Sequence, residues 1–171
     1  ARPSSVTIIV KPFKKHKDIK NTLLKLIDKL PKNKGKAISN TDWILPKDYN
    51  REYLNLFYEN INEHMVELRD QFNCDRWEII NGWFQQYEKG DTHGWHNHAG
   101  CQFSNVYYLE LPSKSLATEF YNKEKIKVSE GDILTFSSHL VHRSAINTTN
   151  SRKTIISFNS SFAYGHKNFQ D

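Results

Sequence analysis

Three histidines in the second half of the chain have the residue type and spacing of a metal site. His96 and His98 are two residues apart in Gly-Trp-His-Asn-His-Ala, and His142 comes later, after a strand-like segment. On an extended strand, residues i and i+2 point to the same face, so two imidazoles there can bind one ion, while another strand supplies the third. His139 is a weaker candidate for that third position. Imidazole suits iron, zinc, copper and nickel, so these residues alone do not identify the metal.

Arg152 is a candidate for binding an anion. It begins the β-branched segment Arg-Lys-Thr-Ile-Ile-Ser-Phe-Asn. A guanidinium at the start of a core strand requires an anion or a carboxylate partner, because it would otherwise be buried unpaired. Arg143 is less suitable, since it directly follows His142 and would face the other side of its strand.

Alternation along two predicted strands indicates which side chains line a cavity. If Tyr87 points inward, Asn81, Trp83 and Gln85 do so as well, and such a polar and aromatic row is a poor core but a plausible cavity lining. On the last strand, the same reasoning predicts an inward row of four residues, namely Arg152, Thr154, Ile156 and Phe158.

The elements that must position these residues are two helices followed by many short strands. After a first strand over Val6 to Val10, apolar residues recur every three or four positions from Ile19 to Leu30 and from Leu54 to Phe72, which predicts two amphipathic helices. Six short alternating segments follow: Trp77 to Tyr87, Phe103 to Leu111, Thr118 to Tyr121, Lys125 to Val128, Asp132 to Ser137 and Thr154 to Phe162. We therefore expect a mainly β sandwich or barrel, with the helices packed on the outer face of one sheet.

Composition limits the class of protein. The 171 residues are 37% hydrophobic and 25% charged, which is typical of one folded domain over residues 1–171. Within it, we expect residues 1–75 to form a first strand and a helical buttress, and residues 76–171 to carry the site. No apolar run reaches the roughly 20 residues of a membrane helix, and no signal-like segment is present, so we expect neither a membrane span nor Sec export. Cys74 and Cys101 form no disulfide framework, which favours the cytoplasm.

The order of these motifs resembles that of the iron(II)- and 2-oxoglutarate-dependent oxygenases, in particular the prolyl-hydroxylase-like branch and its short uncharacterised bacterial and phage members. The resemblance extends over roughly residues 81–162. Its motifs are, in chain order, Tyr87-x-x-Gly90, His96-x-His98, Val106-Tyr107-Tyr108-Leu109, Gly131-Asp132, His142 and Arg152-x-Thr154.

This resemblance implies a double-stranded β-helix, or jelly roll, that binds iron(II) and 2-oxoglutarate. It assigns His96 and His142 as iron ligands and places His98 where the family usually has a carboxylate. It also implies a cosubstrate pocket with Arg152 on the far carboxylate of 2-oxoglutarate, and four further residues around it: Thr154, Tyr108, Tyr87 and Asn81. Three histidines carry no charge, so the iron would be less electron-rich than with a carboxylate ligand.

Two other functions remain open at this point. One is a cupin-like three-histidine metalloenzyme that uses no 2-oxoglutarate, and the other is a non-catalytic jelly-roll binding module. For an oxygenase, the substrate is unknown, with a small molecule or a peptidyl residue favoured. Nucleic acid is less favoured, because the ten lysines from Lys11 to Lys36, within a net charge of +5, are typical of a solvated helix face.

Overall fold

The computed structural model describes residues 6–31 and 39–165. Three helices precede most of the strands: α1 (His16–Asp28), α2 (Glu52–Asn60) and α3 (Asn62–Gln71). The strands are β1 (Ile8–Pro12), β2 (Asn40–Thr41), β3 (Arg76–Tyr87), β4 (His93–His96), β5 (Phe103–Glu110), β6 (Glu119–Phe120), β7 (Asp132–Ser137), β8 (His142–Ser144) and β9 (Lys153–Ala163).

The strands form two antiparallel sheets that face each other. The larger sheet has the order β1-β7-β5-β9-β3-β2, and the smaller has the order β4-β8-β6. Strand β1, which precedes the helices, pairs with β7, so the N-terminal segment completes the sheet formed by the later strands. The space between the two sheets contains the candidate site.

The helices cover the outer face of the larger sheet, as the sequence predicts. Phe57 of α2 is fully buried and stacks on Tyr107 of β5, with 5.3 Å between ring centroids and 8° between ring planes. It also contacts Phe13 and, at 5.4 Å, Phe158 of β9. Gly82 of β3 allows α2 to approach closely, because a Cβ there would collide with the Tyr58 hydroxyl.

Helix α1 is amphipathic, with its apolar face on the sheet and its lysines in solvent. Leu23 and Ile27 are buried, whereas Lys17 and Lys25 are exposed. This confirms the solvated lysine face for the helix itself. The remaining lysines of the run, at 32, 34 and 36, lie outside the described residues.

Two predicted elements differ from the structure. The expected long helix is divided at Ile61, which ends α2 and begins α3. The backbone at Ile61 has φ −89° and ψ −11°, close to helical values, so the apolar spacing continues through the break and does not reveal it. The predicted strand over Lys125 to Val128 has no regular structure, although Val128 is buried in the core between the sheets. Within the described ranges, no helix has the length and apolarity to cross a membrane.

Candidate metal centre

The three predicted histidines converge between the two sheets, in an open cavity. One ring nitrogen of each of His96, His98 and His142 lies within 4.8 Å of the others. His96 and His142 are cross-strand partners on β4 and β8, and His98 follows two residues after the end of β4. The Nε2 atoms of His98 and His142 are 3.3 Å apart.

Hydrogen bonds to backbone carbonyls orient two of the rings. His96 Nδ1 donates to the Gly94 carbonyl at 2.6 Å, and His142 Nδ1 donates to the Leu140 carbonyl at 2.9 Å. A neutral imidazole carries one proton, so in both rings Nε2 keeps a free lone pair. Metal-binding histidines are oriented in the same way, by a hydrogen bond from the nitrogen that does not bind the metal.

The environment of His98 and His142 keeps those two rings uncharged. Burial, and then the neighbouring His96, lower the pKa of His98 to about 4. Burial is also the main cause that lowers the pKa of His142 to about 3, with the other histidines contributing. Both rings are therefore neutral at pH 7, which is the state that binds metal ions.

Aromatic side chains pack around the triad. His142 lies edge-on to Phe136 at 4.7 Å, and His98 stacks on Trp83 at 5.7 Å. Trp83, which lines the cavity, in turn contacts Trp43, which is 60% exposed. His139 is exposed and is not part of the triad.

The donor set fits a borderline transition metal. Neutral imidazoles suit iron(II), zinc, copper and nickel, whereas magnesium and calcium prefer oxygen ligands. Within the described residues, the cluster contains no carboxylate. Three facial ligands on one ion leave positions open for exogenous ligands, which is the arrangement of catalytic rather than structural metal sites.

A buried lysine lies behind another wall of the cavity. Lys153, only 1% exposed, donates from Nζ to the Leu116 carbonyl at 2.6 Å and to Ser144 Oγ at 2.9 Å. In the described part of the chain, these hydrogen bonds go to neutral groups and not to a carboxylate. Burial lowers the pKa of Lys153 to about 7. A buried ammonium with no carboxylate hydrogen-bonded to it is stabilised when an anionic ligand binds beside it.

Tyr87 lines the cavity beside this lysine. Lys153 Nζ lies 5.0 Å from the centre of the Tyr87 ring. The Tyr87 hydroxyl is buried and makes no hydrogen bond of good geometry among the described residues. Burial raises its pKa above the ordinary value, and the nearby Ser144 and Ser39 hydroxyls oppose this rise only in part. A buried hydroxyl without a well-oriented partner is costly, and a bound ligand would satisfy it.

The structure does not bring Arg152 or Thr154 to the cavity. Arg152 Nε pairs with Glu110 Oε1 at 2.8 Å, and its Nη1 with Asp28 Oδ1 at 3.2 Å. Thr154 Oγ1 donates to the same Glu110 oxygen at 2.7 Å. The anion partner that the sequence requires for Arg152 is therefore supplied by the protein itself, through a carboxylate of β5 and one of α1.

The predicted inward row of β9 is shifted by one residue. Ile156 and Phe158 belong to the core under the helices. The residues of β9 that line the cavity are Ile155, Ser157 and Asn159, which alternate in phase with Lys153. The row of β3 is predicted correctly at three positions, since Trp83, Gln85 and Tyr87 line the cavity.

The other two predicted cosubstrate residues, Tyr108 and Asn81, differ in burial and in their partners. Tyr108 is fully buried, and its hydroxyl donates to Thr118 Oγ1 at 2.7 Å. Asn81 is exposed, and its Oδ1 accepts a hydrogen bond from Asn159 Nδ2 at 2.8 Å. In the sheet register, Asn81 is opposite Asn159 whereas Tyr87 is opposite Lys153, so Asn81 lies far along the strands from the lysine.

Lys153 is the functional candidate that the sequence analysis missed. The signal in the sequence is weak. One row of the segment from 153 to 159 is Thr154, Ile156 and Phe158, and the other is Lys153, Ile155, Ser157 and Asn159. The second row holds more polar residues, which favours it as the cavity face, but an apolar residue in each row leaves the orientation of the strand undecided.

No protein-family model and no curated protein matches this chain. Solved structures do match, at low sequence identity. The viral collagen prolyl hydroxylase vCPH from Paramecium Bursaria Chlorella virus-1, in complex with 2-oxoglutarate, is 17% identical, with a TM-score of 0.61 over 94% of this chain and 97% of that one. HygX from Streptomyces hygroscopicus, with nickel, 2-oxoglutarate and hygromycin B bound, is 12% identical, with a TM-score of 0.71 over 91% and 83%.

A prolyl hydroxylase from Trichoplax adhaerens, in complex with a hypoxia inducible factor peptide fragment, is 13% identical, with a TM-score of 0.63 over 91% of this chain and 83% of that one. The fold is that of the 2-oxoglutarate-dependent oxygenases. This confirms the predicted jelly roll with N-terminal helices packed on one sheet.

Proposed function

We propose that the protein is an iron(II)- and 2-oxoglutarate-dependent oxygenase that hydroxylates its substrate. One observation carries this proposal: a three-histidine cluster shares a cavity with Tyr87, behind which lies the buried amino group of Lys153, whose hydrogen bonds go to neutral oxygens. The cluster can hold a metal, and the ammonium can hold the far carboxylate of a dicarboxylic acid. The fold, shared with proteins that have 2-oxoglutarate bound, supports the same proposal.

In this proposal, the protein supplies geometry and charge around the reacting groups. Iron(II) with 2-oxoglutarate supplies the activation of oxygen for hydroxylation. His96 and His142 present Nε2 because their Nδ1 atoms are held by backbone carbonyls. The aromatic rings of Phe136 and Trp83 exclude water from one side of the histidines, which strengthens electrostatic interactions within the site.

We assign the anchor of the 2-oxoglutarate C5 carboxylate to Lys153 and not to Arg152. Arg152 already pairs with Glu110 and Asp28, whereas the hydrogen bonds of Lys153 go to neutral oxygens. A bound carboxylate would favour the charged lysine and bring its pKa back up from about 7. The Tyr87 hydroxyl is the second donor available to the same carboxylate.

The substrate in this proposal is a small molecule or a peptidyl residue that approaches past Trp83 and the exposed Trp43. The matching oxygenases include one with a peptide fragment bound and one with hygromycin B bound, so the fold accommodates both classes. Asn81 and Asn159, six residues along their strands from Tyr87 and Lys153, are assigned to this substrate side rather than to the cosubstrate.

We further propose that residues 1–171 act as one oxygenase domain in the cytoplasm. Strand β1 and the helices of the first 75 residues pack on the sheet that carries the site. The two free cysteines and an iron(II) cofactor both suit a reducing compartment.

Anaerobic calorimetry tests the proposed function. Iron(II) is titrated into the metal-free protein, and 2-oxoglutarate is then titrated into the iron-loaded protein. We expect both to bind, and His142→Ala to abolish the metal step. If the wild type binds the metal but not 2-oxoglutarate, the result would support the cupin-like three-histidine enzyme. If it binds neither, the result would support a non-catalytic binding module.

A further inference from the structure

A fourth histidine, His93, lies directly against the metal cluster. Its ring is parallel to that of His96 to within 14°, with only 3.9 Å between the ring centroids. His93 is half-buried, occupies the first position of β4, and lines the same cavity as the triad. Its nitrogens are not part of the three-atom cluster, and among the described residues its ring contacts that cluster at His96.

A glutamine fixes the orientation of His93. Gln85 Nε2 and His93 Nδ1 are 3.1 Å apart. An amide nitrogen can only donate, so His93 Nδ1 accepts this hydrogen bond and the ring carries its proton on Nε2. His93 is therefore neutral in this arrangement. Gln85 lies near the end of β3 and is opposite Ile155 of β9, so the chain of contacts begins in the larger sheet.

The three candidate ligands differ in what supports their rings. His142 is buried against Phe136, and His98 stacks on Trp83. His96 is only half-buried, and its ring contacts within the described residues are with the other two ligands and with His93. His98 and His142 would bind the same metal ion as His96. Among these contacts, His93 is therefore the ring outside the triad that packs against His96.

We propose that Gln85 and His93 are positioning residues for the metal, which hold the His96 ring in the plane that directs Nε2 at the ion. This inference rests on the metal site of the proposed function. The Gly94 carbonyl selects the His96 tautomer, but one hydrogen bond leaves the ring free to rotate about it. A parallel ring held by Gln85 removes that freedom. Outer residues that orient a metal ligand typically change metal affinity by about 10- to 100-fold when they are replaced.

The test is the affinity for cobalt(II), used as an oxygen-stable probe, together with the visible absorption spectrum of the cobalt(II) protein. We expect His93→Ala to bind cobalt(II) about 10- to 100-fold more weakly than the wild type and to change the absorption bands that report ligand geometry. His93→Phe keeps a ring against His96, so it should lose less affinity than His93→Ala. Gln85→Leu should weaken binding in the same direction as His93→Ala, because it releases the His93 ring. His139→Ala, which changes an exposed histidine outside the triad, is the control and should bind like the wild type.

Two outcomes would overturn the inference. If His93→Ala binds cobalt(II) as tightly as the wild type with the same spectrum, His93 does not position the ligand. If His93→Phe loses as much cobalt(II) affinity as His93→Ala, the ring stacked on His96 is not what positions that ligand. Failure of the wild type itself to bind cobalt(II) would instead refute the metal site, and with it both proposals. Thermal unfolding of the metal-free variants separates a general loss of stability from a specific loss of metal affinity.

Discussion

The two sides of strand β9 serve different purposes. The side toward the helices carries Ile156 and Phe158, both fully buried among aromatic rings of α2 and β5. The side toward the cavity carries Lys153, Ser157 and Asn159, which are equally buried but polar. Neighbouring residues of one strand therefore face either the core under the helices or the proposed binding cavity, and burial alone does not separate the two sides.

Replacing a residue on the helix side should have the largest effect on stability. Phe158→Ala removes a ring that packs against Phe57 at 5.4 Å, so the free energy of unfolding should fall by roughly 3–5 kcal/mol. Ser157→Ala, the neighbouring change on the cavity side, should cost less than about 1 kcal/mol. Urea denaturation of both variants measures the difference. Similar losses for the two variants would contradict the division of β9 into a stability side and a binding side.

The same strand shows what the sequence could and could not predict. Composition and periodicity predicted the helices, most strands and the helical layer, because apolar spacing reports which face is buried. The histidine cluster was also predictable, since its residue type is rare and its spacing on a strand is informative. Apolar residues at 155, 156 and 158 occur on both sides of β9, so they did not decide its orientation. The assignment of Arg152 to the cavity followed from that ambiguity.

The carboxylate partners of Arg152 were not predictable for a second reason. Glu110 and Asp28 are remote from it in sequence, and only the pairing of β5 with β9 and the packing of α1 bring them near. The sequence correctly indicated that the guanidinium needs an anion. It could not show that the protein supplies that anion itself.

On the binding side, Lys153→Met should weaken 2-oxoglutarate binding to the iron-loaded protein by roughly 2–5 kcal/mol, because the ligand carboxylate would lose its buried cationic partner. Methionine keeps most of the side-chain volume without the charge. Calorimetry on the iron-loaded variant gives the affinity, and the metal step of the same titration should be unchanged. Unaltered 2-oxoglutarate affinity would exclude Lys153 as the anchor.

The pH dependence of stability in the same variant should show how much free energy the burial of Lys153 costs. Burial lowers the pKa of Lys153 from its ordinary value of 10.5 to about 7. Between pH 7 and about pH 10, the unfolded chain holds a proton on this lysine that the folded protein does not. The wild type should therefore gain about 1.4 kcal/mol of stability per pH unit relative to Lys153→Met over that range, and the difference should be constant below pH 7.

Urea denaturation of the two metal-free proteins at pH 6, 8 and 9 measures this slope. Lys153→Met should be the more stable protein at pH 6, because the wild type there buries a charge with no carboxylate hydrogen-bonded to it, and the attraction of Glu119 offsets the cost of burial only in part. A stability difference that does not change with pH would show that burial does not lower the pKa of Lys153. The helix side of the strand, which carries no ionisable group at 156 or 158, contributes nothing to this dependence.

The smallest effect is expected at Arg152, which begins the helix-side row. Its side chain is 26% exposed, and its pairs with Glu110 and Asp28 are near the surface, so Arg152→Ala should cost about 1 kcal/mol of stability or less. Glu110 keeps its hydrogen bond from Thr154, and Asp28, whose side chain is 44% exposed, is hydrated when it loses the guanidinium. The 2-oxoglutarate affinity of the iron-loaded variant should equal that of the wild type, because the guanidinium does not reach the cavity. Loss of 2-oxoglutarate binding in Arg152→Ala, with binding retained in Lys153→Met, would reverse the two assignments and require the end of β9 to turn by one residue when the cosubstrate binds.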